Sequence, residues 1–374
     1  MPRKRKAVPG IRPQRPTLRD IAEMVGVSVS TVSATLNDAP RAEGFSAATK
    51  ERIRAAAKQL GYVPSPLAQA LKKAKKNLLG IVVYNHQDPR LSSMLHAALE
   101  EAQILEREVV LMDMGNKADR LNRSLHMLRA WGVQGIVLML GGHIRSDSSR
   151  KLVQDIGVPV VAIASRRRGC VSSAVVYENA EAGRLLAGHL LDLGHKNIGM
   201  LAGKPTHIEF EERLEGVREA LEQRHVGFGE DQIARTAESR FALPSAYYAA
   251  DELLEKNPDT TAIICMNDVL AIGAMKRVRE LGMKIPGDIS VAGFDDFILA
   301  DDMDDANRLG AYMTPSLTTI RAPFEDMGRA ATQMLVELAK DPSGSDRRKY
   351  RVFPGTLVVR ESTGAAPAPA LAIA

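Results

Sequence analysis

The chain has 374 residues, 50 Lys and Arg against 45 Asp and Glu, a 45% hydrophobic share and two cysteines. That length suits two or three domains with sizeable cores, whereas Cys170 and Cys265 are too few and too far apart for a disulfide framework or a zinc site. The opening "MPRKRKAVPG" lacks the apolar stretch of an export signal, and no run approaches the roughly 18 apolar residues of a membrane helix, so a cytoplasmic protein is expected.

The net charge of +5 conceals an asymmetry. Residues 1–76 hold 16 Lys and Arg against 5 Asp and Glu, a net of +11, and the remainder carries −6. Clustered cations displace the counterions condensed on nucleic acid, so the basic segment points to a polyanion partner.

In chain order, residues 1–16 read as a disordered basic extension. The stretch "TLRDIAEMVGVSVSTVSATLND" follows, beginning at Thr17. Thr17 with Asp20 three places on forms a capping box, and Leu18, Ile21, Ala22 and Val25 share one helical face. Gly26 supplies a turn, and Ser28 can cap a second helix bearing Val29, Val32, Ser33 and Leu36. Two short helices around a glycine, with small Ala22 at the crossing, have the form of a DNA-binding helix-turn-helix. A third helix runs from Ser46 to Gly61 with Ile53, Ala56, Ala57 and Leu60 inward, completing an all-α headpiece over 17–63. Residues 64–77, with two prolines and then "LAQALKKAKK", read as a hinge helix that orders only on a partner.

From Leu78, short apolar strands alternate with amphipathic helices: "LLGIVVY", "VVLMD", "GIVLML", "VPVVAIA", "SAVVY", "NIGMLAG", "TAIICM" and "ISVAGF". The alternation restarts near Tyr177 to Asn179, which predicts two doubly wound α/β lobes over 78–363, followed by a disordered tail at 364–374. Ligands of such sheets bind beyond the carboxyl ends of the strands, so the cleft between lobes is the expected site.

The headpiece stretch, "LGYVPSPLAQAL", "GRLLAGHLLDLGHKNIGMLAG", "MNDVLAIGAMKRVRELGMKIPGDISVAGFDD" and "PSLTTIRAPFEDMGRAA" occur in the order found in the lactose/galactose repressor (LacI/GalR) family, and the chain resembles that family over about residues 17–363. The resemblance implies a helix-turn-helix headpiece, a hinge helix and a core like periplasmic sugar-binding proteins. It also implies that Thr17, Ser28, Thr31, Ser33 and Asn37 grip DNA phosphates and that Val29, Ser30 and Ala34 face base edges. An alanine at position 34 can offer only a methyl, so direct readout there is weak, and Leu67, Ala68 and Leu71 of the hinge are assigned to the minor groove. The turn "NDAPRAEGFSAATK" is about three residues longer than the family's usual one.

In the cleft the resemblance implies effector contacts from Arg213, Phe241, Asn267 and Asp295, whose donors, acceptors and aromatic face suit a small polar ligand. Ala164 and Met139 stand where sugar binders carry polar groups, which leaves room for a sugar acid or other anionic metabolite paired with Arg213. Residues 298–310 look like an acidic insertion, read as a solvated loop.

No cofactor, metal or catalytic set is expected. His189 and His195 lie six apart, off a common helix face, and "GGHIR" lacks the lysine and spacing of a phosphate loop. The residues therefore point to a ligand-responsive transcriptional repressor, not an enzyme or a secreted binding protein. It would act as a homodimer on a pseudo-palindromic double-stranded operator, with no membrane partner, and its tail has no leucine heptads for a tetramer.

Overall fold

A computed structural model describes residues 16–36, 40–62, 77–115, 117, 119–140, 147–164, 173–203, 208–236, 243–298, 308–340 and 349–368. The chain divides into two units, Met1–Lys76 and Asn77–Ala374.

In the first unit the local caps decide where helices begin and end. The Thr17 hydroxyl accepts from the Asp20 amide at 3.4 Å while Asp20 accepts from the Thr17 amide at 2.6 Å, a capping box that opens α1, Leu18–Val25. Gly26 ends it in the left-handed region at φ 72°, which an L side chain rarely adopts. Ser28 then accepts from the Thr31 amide at 3.1 Å and starts α2, Val29–Leu36. The lengthened turn forms a 3-10 helix at Pro40–Gly44 that packs on α2 and buries Ala42. Ser46 caps α3, Ala47–Gln59. Ile21, Ala22, Val25, Val32, Ile53, Ala56 and Ala57 form the shared core, with Leu18, Leu36 and Leu60 packed against it.

The burial of α2 departs from the sequence pattern in one respect. Val32 is fully buried and Val29 faces outward at 43% exposure, in keeping with its assignment to base edges, but Ala34, given the same assignment, is covered, as is Thr35. The elements packed on α2 include α1, α3 and the 3-10 turn.

The second unit holds two six-stranded sheets. The first is built from β1 (Leu78–Val83), β2 (Glu108–Asp113), β3 (Ile136–Met139), β4 (Val160–Ala164) and β5 (Ser173–Tyr177), joined by α4 (Pro89–Ile104), α5 (Arg120–Trp131) and α6 (Asp147–Asp155). After α7 (Asn179–Asp192) the second sheet takes β6 (Ile198–Ala202), β7 (Ile233–Arg235), β8 (Ala262–Cys265), β9 (Ser290–Asp295) and β10 (Thr318–Arg321). Their connecting helices are α8 (Ile208–Gln223), α9 (Leu243–Lys256), α10 (Asp268–Glu280) and the short α11 (Leu309–Tyr312).

The chain then returns. Helix α12 (Phe324–Lys340) packs on α4 of the first lobe, β11 (Tyr350–Phe353) pairs parallel with β5, and β12 (Thr356–Val358) pairs antiparallel with β10. The strand orders are β11-β5-β4-β3-β1-β2 and β12-β10-β9-β8-β6-β7. Three strand crossings therefore join the lobes, at 177–179, 321–324 and 353–356, and the carboxyl ends of the central strands converge beside them.

The seven apolar residues of the headpiece and the large core of the second unit each close on themselves. Among the described residues no helix is long and apolar enough to cross a membrane. Cys265 is buried on β8, and burial pushes its thiol well above the usual range.

Candidate functional site

On the headpiece, the amino end of α2 gathers hydroxyl groups. Ser28 Oγ lies 2.7 Å from Ser30 Oγ and 2.8 Å from Thr31 Oγ1. Ser28, Val29 and Ser30 are exposed, as is Thr17 at the start of α1, while Thr31 and Ser33 are partly covered. A helix amino terminus carries unpaired N–H groups and a positive dipole end, which together suit a phosphate. Ala34 is only 8% exposed, so of the three positions assigned to base edges, Val29 and Ser30 have accessible surface and Ala34 has little. Asn37, Leu67, Ala68 and Leu71 lie outside the described residues.

In the second unit the structure brings Arg213 and Asp295 together. Arg213 rises from the second turn of α8, and that helix lies close against α7 because two glycines allow it. A Cβ on Gly216 would stand 1.8 Å from the Ala180 carbonyl oxygen, and one on Gly183 would stand 2.2 Å from the Arg213 carbonyl oxygen. The Arg213 guanidinium then donates Nη2 to Asp295 Oδ1 at 2.7 Å, Nε to Asn179 Oδ1 at 3.0 Å and Nη1 to the Met266 carbonyl at 2.6 Å. It lies 4.7 Å from the centre of the Phe294 ring. Asn179 is held in turn by donating to Glu212 Oε2 at 3.2 Å.

Asp295 ends β9 in a costly backbone state, φ 105°, and Asp296 follows at φ 50°. The pair of left-handed residues sends the two carboxylates in different directions. Asp296 accepts from Arg321 Nε at 2.8 Å and Arg360 Nη2 at 2.9 Å, while Arg308 donates to its carbonyl at 2.7 Å. Its amide is anchored on Asp268 Oδ2 at 2.7 Å. Asp295 is left facing Arg213. Burial raises the Asp295 carboxyl above its usual range, opposed by Arg213 and Arg90, and burial with the charge of Asp295 raises Asp268 well above.

Asn267 is buried at the end of β8, where its side chain caps α10 by accepting from the Leu270 amide at 2.8 Å. Phe241 lies outside the described residues. Met139 is buried at the end of β3, and of the 298–310 insertion only its base is described, where Ile298 and Arg308 form an antiparallel bridge.

A second arginine that the sequence did not flag completes the cluster. Asp88 caps α4 and accepts from the Arg90 amide at 3.1 Å. The Arg90 side chain gives Nε to Asp88 Oδ1 at 3.2 Å and Nη2 to Asp88 Oδ2 at 2.9 Å. Its Nη1 reaches Glu209 Oε1 on α8 at 3.4 Å. All three side chains are buried. Burial disfavours the Arg90 charge, but Asp88, Glu209 and Asp295 more than offset it, so the group stays charged. The available signal was the "DPR" triplet in the turn that follows the first strand, a cap and a helix-starting proline with an arginine near a strand's carboxyl end.

The two histidines have structural partners. His195 Nε2 donates to the Gly364 carbonyl at 3.1 Å with Ser290 Oγ at 3.0 Å, and Nδ1 lies 2.9 Å from Thr261 Oγ1. His189 Nε2 lies 3.0 Å from Thr363 Oγ1.

Comparison with known proteins bears on the fold and its relatives. Residues 17–65 match the family described as bacterial regulatory proteins, lacI family, and residues 187–363 match the periplasmic binding protein-like domain. The HTH-type transcriptional repressor PurR of Vibrio vulnificus (strain CMCP6) is 28% identical over 346 residues, 92% of this chain and 98% of that protein. The solved structure of the lac repressor dimer bound to operator and the anti-inducer ONPF superposes with a TM-score of 0.70 at 27% identity, covering 94% of this chain and 100% of that one. The transcriptional regulator CelR–cellobiose complex gives a TM-score of 0.66 at 27% identity over 93% of this chain and 100% of that one. The chain carries a DNA-binding domain of the lacI family of bacterial regulatory proteins at residues 17–65 and a periplasmic binding protein-like domain at 187–363, and over nearly its whole length it is similar to DNA-binding transcription regulators.

Proposed function

We propose that this protein is a cytoplasmic, ligand-responsive repressor of carbohydrate or related metabolic genes. It binds a pseudo-palindromic operator as a homodimer and a small polar metabolite in the cleft of its core. The observation that carries the reading is the buried Arg213–Asp295 pair at strand carboxyl ends in a core joined to a headpiece whose α2 exposes Ser28, Val29 and Ser30. Support comes from the related lac repressor, solved as a dimer on its operator, and from CelR, solved with cellobiose.

Two headpieces on adjacent half-sites make a dimer the geometric expectation. In this reading Thr17, Ser28, Thr31, Ser33 and Asn37 contact phosphates, Val29 and Ser30 meet base edges, and Leu67, Ala68 and Leu71 of the 64–77 hinge enter the minor groove. Arg213, Asn267, Asp295 and Phe241 hold the effector. Ligand shifts the lobes through a difference in affinity between two states, and the hinges gain or lose their grip on DNA.

The test is a thermal-shift screen of sugars, sugar acids and nucleobases, followed by DNA retention with each hit. Salt-sensitive retention of duplex, altered by the hit, is expected. Failure to retain any duplex at low salt, with or without a hit, sinks the function. An Arg213→Ala protein with undiminished affinity for a hit sinks the cleft assignment alone.

A further inference from the structure

Surface charge on the second unit is distributed in a way that the effector cleft does not explain. Residues 117–155 carry 7 Lys and Arg against 3 Asp, a net of +4, while the rest of 77–374 carries −10. A basic island stands in an acidic domain. At its centre is α5, 12 residues without one Asp or Glu.

Burial of Leu121, Ser124, Leu125 and Leu128 seats α5 on the first sheet, and at 3.6 residues per turn the opposite half of its circumference faces solvent. Arg120, Arg123, His126 and Arg129 step across that half at intervals of three, and all four are exposed. Lys117 just before the helix and Lys151 on the neighbouring α6 are exposed too.

Elsewhere on this unit surface cations are matched by carboxylates of their own helix. Arg184 meets Glu181 at 2.6 Å, Lys256 meets Glu252 at 2.6 Å and Arg329 meets Asp326 at 3.4 Å. The side chains of Arg120, Arg123 and Arg129 have no such partner among the described residues, although Asp119 adjoins them in sequence. Local stability does not account for the pattern either. A cation in the first turn opposes the helix dipole, and like charges three or four residues apart repel.

A protein partner of ordinary kind would need an apolar centre to anchor it, and the exposed face of α5 offers one large apolar side chain, Trp131, 40% exposed at the carboxyl end. A polyanion needs no such anchor. From Arg120 to Arg129 the stripe rises about 13 Å at 1.5 Å per residue. An equal length of duplex carries roughly eight phosphate charges, at one per about 1.7 Å of axis. The partner that fits is nucleic acid, the class the 17–65 domain already binds.

We propose that α5 forms a second DNA contact, separate from the headpiece, which grips the phosphate backbone of duplex through Arg120, Arg123 and Arg129 without reading its sequence.

The test uses the full chain and a random-sequence duplex, with affinity read by fluorescence anisotropy across a salt series. Arg120→Gln/Arg123→Gln/Arg129→Gln is compared with Arg218→Gln/Arg224→Gln/Lys256→Gln, which removes the same charge from ion-paired sites elsewhere on the unit. Circular dichroism verifies that both are folded. The stripe variant is expected to lose about 0.9 of salt slope for each phosphate contact removed, about 2.7 in all, and the control none. A slope unchanged in the stripe variant overturns the proposal, and so does an equal loss in both variants, because net charge alone would then set it. Retention of poly-L-glutamate that is lost in the stripe variant while the duplex slope stays unchanged assigns the surface to an acidic protein and overturns the duplex contact. Failure of the wild type to bind the duplex at low salt overturns it as well.

Discussion

Arg90 Nη1 donates to Glu209 Oε1 at 3.4 Å, and this contact joins the first turn of α4 to the first turn of α8, helices that connect strands of different sheets. It is a buried ion pair across the cleft. The two partners are unequal, because removing the Glu209 side chain takes one hydrogen bond from Arg90, whereas removing the Arg90 side chain takes charged hydrogen bonds from two buried carboxylates. Glu209→Ala is expected to cost about 1–3 kcal/mol, the loss of one buried charged hydrogen bond. Arg90→Ala is expected to cost about 3–5 kcal/mol. Urea unfolding of both variants checks the order, and equal costs would contradict the pairing described.

Gly216 and Gly188 lie on neighbouring helices and should respond to alanine in opposite directions. A methyl on Gly216 would stand 1.8 Å from the Ala180 carbonyl oxygen, so Gly216→Ala must push α8 away from α7 and carry Arg213 with it. A loss of about 1–3 kcal/mol is expected, along with weaker effector binding. A Cβ on Gly188 meets nothing within 4 Å on a helix interior, so Gly188→Ala should add about 0.4–1 kcal/mol. Thermal unfolding of the two variants separates the cases, and a Gly216→Ala protein of unchanged stability would refute the close approach.

His195 predicts a pH dependence. Burial holds its imidazole below the ordinary value of 6.5, despite the opposing hydrogen bond to the Gly364 carbonyl. The unfolded chain therefore takes up a proton at a higher pH than the folded one does. The stability this group contributes is complete above about pH 6.5 and is lost as pH falls through that value toward the depressed folded one. Comparing urea midpoints at neutral and mildly acidic pH for the wild type and His195→Gln isolates its share. The variant should show the smaller acid loss, and an identical loss in both proteins would rule His195 out.

Ser28 has two tasks that can be measured apart. Its hydroxyl caps α2, so Ser28→Ala should lower headpiece stability by about 1 kcal/mol. Ser28→Gly should cost only a few tenths, because glycine is tolerated as a cap. If the hydroxyl also grips a phosphate, both variants lose DNA affinity, whereas a purely structural role would spare the glycine variant. Unfolding and duplex retention on the same two proteins provide the comparison.

Much of this molecule is written locally. The Thr17–Asp20 box, the left-handed Gly26, the Ser28 and Ser46 caps and the apolar spacing of α1 and α3 each involve residues within a few positions, and all stand where the pattern places them. The eight apolar runs read from Leu78 onward coincide with β1 to β6, β8 and β9. Strands β7, β10, β11 and β12 were not among those runs. Of these, β7 and β12 span three residues each, and β11 alternates only weakly between exposed and half-buried positions, so their signal comes from the sheets they join.

Sequence alone determined the element types, the basic headpiece and the resemblance that led to Arg213 and Asp295, because caps, turns and periodicity act between near neighbours. Tertiary structure decided which charges meet. Arg213 and Asp295 are 82 residues apart and Arg90 and Glu209 are 119 apart, and nothing in the chain order states that either pair is close. It also decided that Ala34 is covered while Val29 and Ser30, assigned with it to base edges, are exposed. The strength of a charge depends on its burial and its partners, and these exist only after the chain has folded.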